Sequence, residues 1–184
     1  MKKLDRYLSR AWAEGKLKQI APFLPPSGRM LDIGSGRGTI TGILRRRGYG
    51  VTPLDIRDRS IDSDLRPLLY DGEAIPFPDD SFDCALLLTV LHHTPDPVAV
   101  LREAARVAPQ LIIIEDVFSN SLQKQLTFFT DSLFNCEFRG HPHSNRRDGE
   151  WRRVFEQLEL TLAEEQSRRV LLFYRQQAYN VLRK

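Results

Sequence analysis

In the run LDIGSGRG, residues 31–38, an aspartate, Asp32, precedes three glycines at alternate positions, Gly34, Gly36 and Gly38. Glycines where a strand gives way to a helix leave the main chain bare, so that a ligand can lie against backbone N–H groups. A phosphate-binding P-loop would need glycine and lysine where Thr39 and Ile40 stand. A dinucleotide fingerprint would need its third glycine at Thr39. The carboxylate of Asp32 also repels phosphate and attracts a cation, so the pattern suits a ligand that brings positive charge to the end of this strand.

Other residues could move protons. His92 and His93 stand just past an apolar strand, on the side where open α/β sheets bind ligands, and a histidine of near-neutral pKa can act there as a base. The alternative is that the second of them packs beneath the next helix. Glu115 and Asp116 end a later strand and are further candidates. His141, His143 and Cys136 do not have metal-ligand spacing, so no metal site is expected. Cys84 and Cys136 read as structural thiols of a reducing compartment.

These residues need a scaffold, and apolar runs alternate with amphipathic helices as in an α/β fold. An opening helix carries Leu4, Leu8, Trp12 and Leu17 and ends before PFLPP. Strands are expected at RMLDI, GVTPL, RPLLY, FDCALLLTV and QLIIIED; several are continuously apolar, as in a parallel sheet covered on both faces. Ile40, Ile43 and Leu44 have helical spacing, with Gly48 at the helix end. Asp96 and Pro97 open another helix as N-cap and first residue. A third helical segment is expected over Ser121–Phe134, then a polar loop. A further helix follows, capped by Asp148 and lined by Trp151, Val154, Phe155 and Leu158. LELTLA and LLFYRQQAYNVL read as a terminal hairpin turning near Gln166–Arg169.

With these elements in order, the chain resembles the class I S-adenosylmethionine-dependent methyltransferases, whose first motif has this acidic, triple-glycine form. VTPLDIRD looks like the second strand, ending in the acid that holds ribose hydroxyls, here Asp55. In YDGEAIPFPDDSFD, Asp71 would accept from the adenine amino group and the Gly72 N–H would bind the ring. TVLHHTPDPVAVLREAARV is similar to the fourth strand and its helix. The resemblance implies a Rossmann-like, seven-stranded, mostly parallel α/β sheet with an antiparallel final strand and helices on both faces. It implies S-adenosylmethionine as cofactor, held by Asp32, Gly34, Ser35, Gly36, Gly38, Asp55, Ile56, Asp71, Gly72 and Thr89, with His92 or His93 as an optional base. The likeness is greatest to the small-molecule branch, which includes quinone-biosynthesis methyltransferases and carries LPFPDxSFD followed by VLHH. The absence of [DN]PPY after the fourth strand argues against amino-base and protein-amide methylation.

At 184 residues one domain is expected: an N-terminal helix in 1–24, a cofactor-binding half in 28–118, and a substrate-side half with the hairpin in 119–184. The longest apolar run is too short to span a bilayer and the N-terminus lacks a secretion signal, which points to the cytoplasm. The formal charge is +3, and the positive surplus lies in residues 139–184, where Arg146–Arg147, Arg152–Arg153 and Arg168–Arg169 recur. A solvated face explains these pairs more simply than nucleic acid. The expected partner is a small-molecule methyl acceptor. An RNA methyltransferase and a cofactor-binding protein without catalysis are the alternatives, and the oligomeric state is left open.

Overall fold

The apolar runs become the inner strands of one seven-stranded sheet. A computed structural model describes residues 2–118, 146–170 and 174–184. Strands β1 (Arg29–Ile33), β2 (Gly50–Asp55), β3 (Leu68–Leu69), β4 (Cys84–Leu88), β5 (Gln110–Val117), β6 (Leu160–Val170) and β7 (Tyr174–Arg183) are ordered β3-β2-β1-β4-β5-β7-β6. The first five pair in parallel, and β7 runs antiparallel to both β5 and β6. This is the expected mostly parallel sheet with an antiparallel final strand.

Helices cover both faces. Side chains of a strand alternate between faces, and the buried residues divide accordingly. Leu31, Ile33, Ala85, Leu87, Leu111 and Ile113 pack with helices α3 (Pro97–Val107) and α4 (Asp148–Gln157). Met30, Cys84, Leu86, Leu88, Ile112 and Ile114 pack with α1 (Lys2–Ile20) and α2 (Thr39–Arg46). Inner strands with an apolar layer on each side leave no polar face, which is why β4 reads CALLL without alternation. Burial pushes the thiol of Cys84 up to about 12, as for an inert structural cysteine.

Local signals explain the helix ends. The Asp96 carboxylate accepts from the N–H groups of Val98 and Ala99, with Pro97 at the first helical position. Gly48, at φ +92°, follows α2.

Three expectations need correction. Of the apolar residues named for α1, Leu17 is buried, together with Ala13 and Ile20, whereas Trp12 is exposed because it lies one residue off that core-facing stripe; the side chains of Leu4 and Leu8 lie outside the described ones. Asp148 is the first residue of α4 and not its cap; its carboxylate accepts from Tyr179 Oη at 2.8 Å and Arg152 Nε at 3.0 Å. Gln166–Arg169 are strand residues, paired with Arg175–Ala178, and the β6–β7 ladder continues to Val170↔Tyr174. β6 is an exposed sheet edge, so its polar stretch gives no apolar signal of strand. The expected helix at Ser121–Phe134, Cys136, His141 and His143 lie outside the described residues. Among the described residues no group of His, Cys, Asp and Glu could hold a metal, and no helix is long and apolar enough to cross a membrane.

Candidate functional site

The strand order reverses between β1 and β4, and the glycine loop leaves β1 at that point, where open α/β sheets form ligand crevices. Gly34 has φ +69°, and its N–H donates to the Leu54 carbonyl at the end of β2 (2.8 Å). A Cβ there would stand 2.2 Å from Val90 Cγ2, so only glycine lets the loop close against the chain leaving β4. Gly38, at φ +73°, turns the loop into α2, and a Cβ would meet Leu65 Cβ at 2.7 Å. Gly36 differs: the nearest atom to an added Cβ is the Gly34 carbonyl oxygen at 4.0 Å, so the loop's centre faces open space. Ser35 Oγ is buried without a hydrogen-bond partner among the described residues.

Two carboxylates flank this loop. Asp32, on β1, is 3% exposed, and its Oδ2 accepts from Thr41 Oγ1 at 2.6 Å. Burial raises its pKa to about 6 despite that bond and the positive charge of Lys16; the charge of Asp55 adds to the rise. A carboxylate in this condition is stabilised by any further cation brought beside it. Asp55 ends β2. Its Oδ2 accepts from the Gly36 N–H at 2.7 Å and its Oδ1 from the Arg57 N–H at 3.2 Å, so it ties the loop to β2.

Asp71 and Gly72 follow β3. Asp71 is exposed, and the N–H groups of Glu73 (2.8 Å) and Ala74 (3.1 Å) donate to its Oδ1, which holds its carboxyl below the usual range. Gly72, at φ +90°, lies against Ile56: a Cβ would meet Ile56 Cγ2 at 3.3 Å. Ile56 is 56% exposed, a large apolar side chain turned to open space beside the acid of β2.

Beyond β4, Thr89 has φ +63°, uncommon for a β-branched residue. Its hydroxyl donates to the Leu88 carbonyl at 2.6 Å and accepts from Lys16 Nζ at 2.5 Å. A short 3-10 turn, Leu91–His93, then carries the two histidines, and the structure distinguishes them. His92 is 1% exposed, with Nδ1 2.6 Å from Glu115 Oε2. Glu115 Oε1 accepts from the N–H groups of Val90 (3.1 Å) and Leu91 (2.8 Å). The buried carboxylate therefore organises the whole turn. His93 is only half-buried and lies against His92, with ring centroids 4.1 Å apart and the rings tilted by 45°. Of the pair, His93 is the one a substrate could reach.

The expected cofactor and base residues thus fall along the carboxyl ends of β1 to β4 or in the segments leaving them, and the further candidates Glu115 and Asp116 lie buried toward the end of β5. Lys16 and Thr41 were not anticipated: each sits on a helix, Lys16 reaches a strand end more than seventy residues along the chain, and nothing in the sequence marks Thr41 as the donor to Asp32. Glu115 was a candidate for its place at a strand end, but its hold on the turn is visible only in three dimensions.

The glycine loop and its flanking carboxylates thus stand together at the strand-order reversal of an α/β sheet. The family described as methyltransferase domain matches residues 31–110. The chain is 24% identical over 162 residues to a ubiquinone biosynthesis O-methyltransferase of Hahella chejuensis, covering 75% of this chain and 67% of that protein. It is 30% identical over 122 residues to the ubiquinone/menaquinone biosynthesis C-methyltransferase UbiE of Pectobacterium atrosepticum, covering 56% of this chain and 48% of that one. Among solved structures, a methyltransferase complex with the Haloferax volcanii Trm112 activator matches at TM-score 0.73 and 18% identity, over 98% of this chain and 92% of that. The Burkholderia thailandensis 1,6-didemethyltoxoflavin-N1-methyltransferase, with its substrate and S-adenosylhomocysteine bound, matches at 0.70 and 17%, over 100% and 83%. The methyltransferase-domain match and the methyltransferase relatives together support a class I S-adenosylmethionine-dependent methyltransferase.

Proposed function

We propose that this chain binds S-adenosylmethionine at the ends of β1, β2 and β4 and transfers its methyl group to a small-molecule acceptor in the cytoplasm. The observation that carries the reading is Asp32, a buried carboxylate raised to about 6 behind a bare loop. Such a group resists a pyrophosphate and welcomes the positive charge of this cofactor. The other residues fit as well. The open space at Gly36 admits a ligand against the backbone, exposed Ile56 offers an apolar surface for a purine ring, and Asp55 and Asp71 can accept from hydroxyl and amino donors.

When bound, S-adenosylmethionine supplies an electrophilic methyl on a sulfonium. The protein's task is to hold donor and acceptor in line and keep water out. Asp32, Gly34, Ser35, Gly36 and Gly38 hold the amino-acid end, and Asp55, Ile56, Asp71 and Gly72 hold the nucleoside. Thr89 orients the ligand from the end of β4. Where the acceptor must lose a proton, His93 takes it on its ring nitrogen, while His92, held by Glu115, fixes the turn beneath it.

Similar proteins are named for ubiquinone and menaquinone biosynthesis or for methylation of 1,6-didemethyltoxoflavin, which supports a small-molecule acceptor here. The arginines are also a poor phosphate-binding surface. Arg152 pairs with Asp148 and Glu165, Arg168 donates to the Gly15 carbonyl, and Arg146 lies over the Trp151 ring. The test is incubation with methyl-labelled S-adenosylmethionine and, separately, total RNA or a small-metabolite extract. Label is expected in the metabolite fraction. Label in RNA would overturn the small-molecule reading, and label in neither would favour a binding protein without catalysis.

A further inference from the structure

The chain between β3 and β4, residues 70–83, forms neither helix nor strand, yet it carries Asp71 and Gly72. In such a segment the backbone polar groups must be satisfied one at a time, and whatever satisfies them fixes its course. Asp71 Oδ1 takes the N–H groups of Glu73 and Ala74, at 2.8 and 3.1 Å. The next N–H, that of Ile75, donates to Glu103 Oε2 on α3 at 2.9 Å. The Ile75 and Phe77 carbonyls then accept from Arg106 Nη2 and Nη1, each at 2.9 Å. Two side chains of one helix thus take over where the Asp71 carboxylate ends.

Arg106 commits its whole fork to this segment and its partner. A guanidinium carries five N–H donors in one plane, and each has an acceptor here. Nε and Nη2 clasp the two oxygens of Glu103 at 2.8 Å, the second Nη2 donor goes to Ile75, and Nη1 divides between Phe77 and Asp79 Oδ1, the latter at 2.8 Å. The clasp holds the Glu103 carboxyl below its usual range, and charge-assisted pairs of this geometry are the strong ones. Packing supports the same arrangement: Ile75 and Phe82 are buried, Phe77 meets Phe82 edge-on with centroids 4.9 Å apart, and the Asp80 N–H donates to the Arg106 carbonyl at 3.1 Å. We infer that Arg106, acting through Glu103 and the Ile75 peptide, is a positioning residue for nucleobase recognition: it sets where Asp71 stands, and so how sharply the protein tells an adenine amino group from the oxygen of another purine. Arg106 bonds to residues 75–79 and not to Asp71, so its influence passes along the backbone. This rests on the methyl-donor reading with Asp71 as the adenine acceptor, and adds the residue that holds that acceptor in place.

The test is calorimetric titration with S-adenosylhomocysteine and with S-inosylhomocysteine, whose base bears an oxo group where adenine has its amino group. The proteins are the wild type, Arg106→Lys, Asp71→Asn and the double variant, each with its melting temperature. The wild type is expected to prefer the adenine ligand by about tenfold or more, the range for a hydrogen bond to a charged group. Lysine keeps the charge but cannot fill the fork, so Arg106→Lys should bring that preference below about threefold while binding S-inosylhomocysteine within about twofold of wild type. Asparagine keeps an oxygen for the Glu73 and Ala74 N–H groups and puts an NH2 in place of the second oxygen, so Asp71→Asn should abolish the preference. In that background Arg106→Lys should change it by less than about twofold, because no acceptor is left to misplace. Glu103→Gln keeps an oxygen for the Ile75 N–H but weakens the clasp; it should lower the preference in the same direction and serves where Arg106→Lys folds poorly. A wild-type preference retained in both Arg106→Lys and Glu103→Gln, or equal losses for the two ligands, would make Arg106 a fold residue only and overturn the inference. A wild type indifferent to the base would overturn it too, while leaving cofactor binding intact. A wild type that binds neither ligand would remove the methyl-donor reading and this inference with it.

Discussion

Asp32→Asn is the substitution whose consequences follow most directly from the structure. The carboxyl moves from an ordinary 3.8 to about 6 in the folded chain, with burial the largest cause and the Thr41 bond and Lys16 charge opposing it. The folded state therefore holds this proton more tightly than the unfolded state. Between about pH 4 and 6 folding takes up a proton at this site, so stability falls as pH rises through that window and is level above it. A shift of roughly two pKa units corresponds to about 3 kcal/mol, an upper figure for the cost of keeping the ionised group buried at pH 7. Asparagine keeps an oxygen for Thr41 and cannot ionise, so the variant is expected to be the more stable protein at pH 7 by up to about 3 kcal/mol, the two converging near pH 4. Urea unfolding of both proteins from pH 4 to 7.5 gives the difference curve. The difference matters more than either curve alone, because carboxyls held below their usual range, such as Asp58, Asp71 and Glu103, lose stability in the opposite direction as pH falls. A flat difference, or an asparagine variant less stable at pH 7, would refute the argument that Asp32 is an ionisable group waiting for a cation. The same linkage makes S-adenosylhomocysteine bind more tightly as pH rises from 5 to 7, and the asparagine variant should lose that trend.

Other substitutions test separate parts of the site. Gly34→Ala combines a left-handed backbone with a Cβ 2.2 Å from Val90, and should lower unfolding free energy by about 2–5 kcal/mol in urea titration; a loss under about 1 would show that the loop has room to move. Asp55→Ala should weaken S-adenosylhomocysteine binding by about 1.5–3 kcal/mol by calorimetry. It should also cost the ligand-free protein about 1 kcal/mol, because the Gly36 N–H loses its acceptor. Unchanged affinity would make Asp55 structural only. Glu115→Ala strands the Val90 and Leu91 N–H groups and the His92 ring, and should destabilise by about 3–5 kcal/mol; a milder effect would mean that the turn does not depend on this carboxylate.

The parts of this fold that the sequence reveals are those whose physics is local. β4 is buried on both faces and reads as an unbroken apolar run, β1 and β5 are apolar at their centres, and Asp96–Pro97 starts α3 by chemistry within four residues. The glycine loop is legible because steric room at Gly34 and Gly38 cannot be supplied by another residue. What escapes the sequence is settled by distant partners. β6 is a polar edge strand held by its ladder to β7, so its length is invisible in EEQSRR. Asp148 has the look of a helix cap, but its carboxylate is engaged by Tyr179, a strand residue whose hydroxyl needs an acceptor. Lys16 looks like any solvated lysine of an amphipathic helix until β4 and the hairpin are folded beneath it. The two histidines are adjacent and chemically alike, and only Glu115, far along the chain, makes one a support and leaves the other half-open.

The central claim, that a buried acid behind a bare loop selects an S-adenosyl ligand over a dinucleotide, is tested most directly by calorimetric titration of the wild-type chain. S-adenosylhomocysteine and NADH are compared at neutral pH and equal concentration. Saturable one-to-one binding of S-adenosylhomocysteine, with no measurable heat of binding from NADH, is the expected result, because the negative charge of Asp32 behind the glycine loop opposes that of a pyrophosphate. Tighter binding of NADH than of S-adenosylhomocysteine would contradict the account at its base.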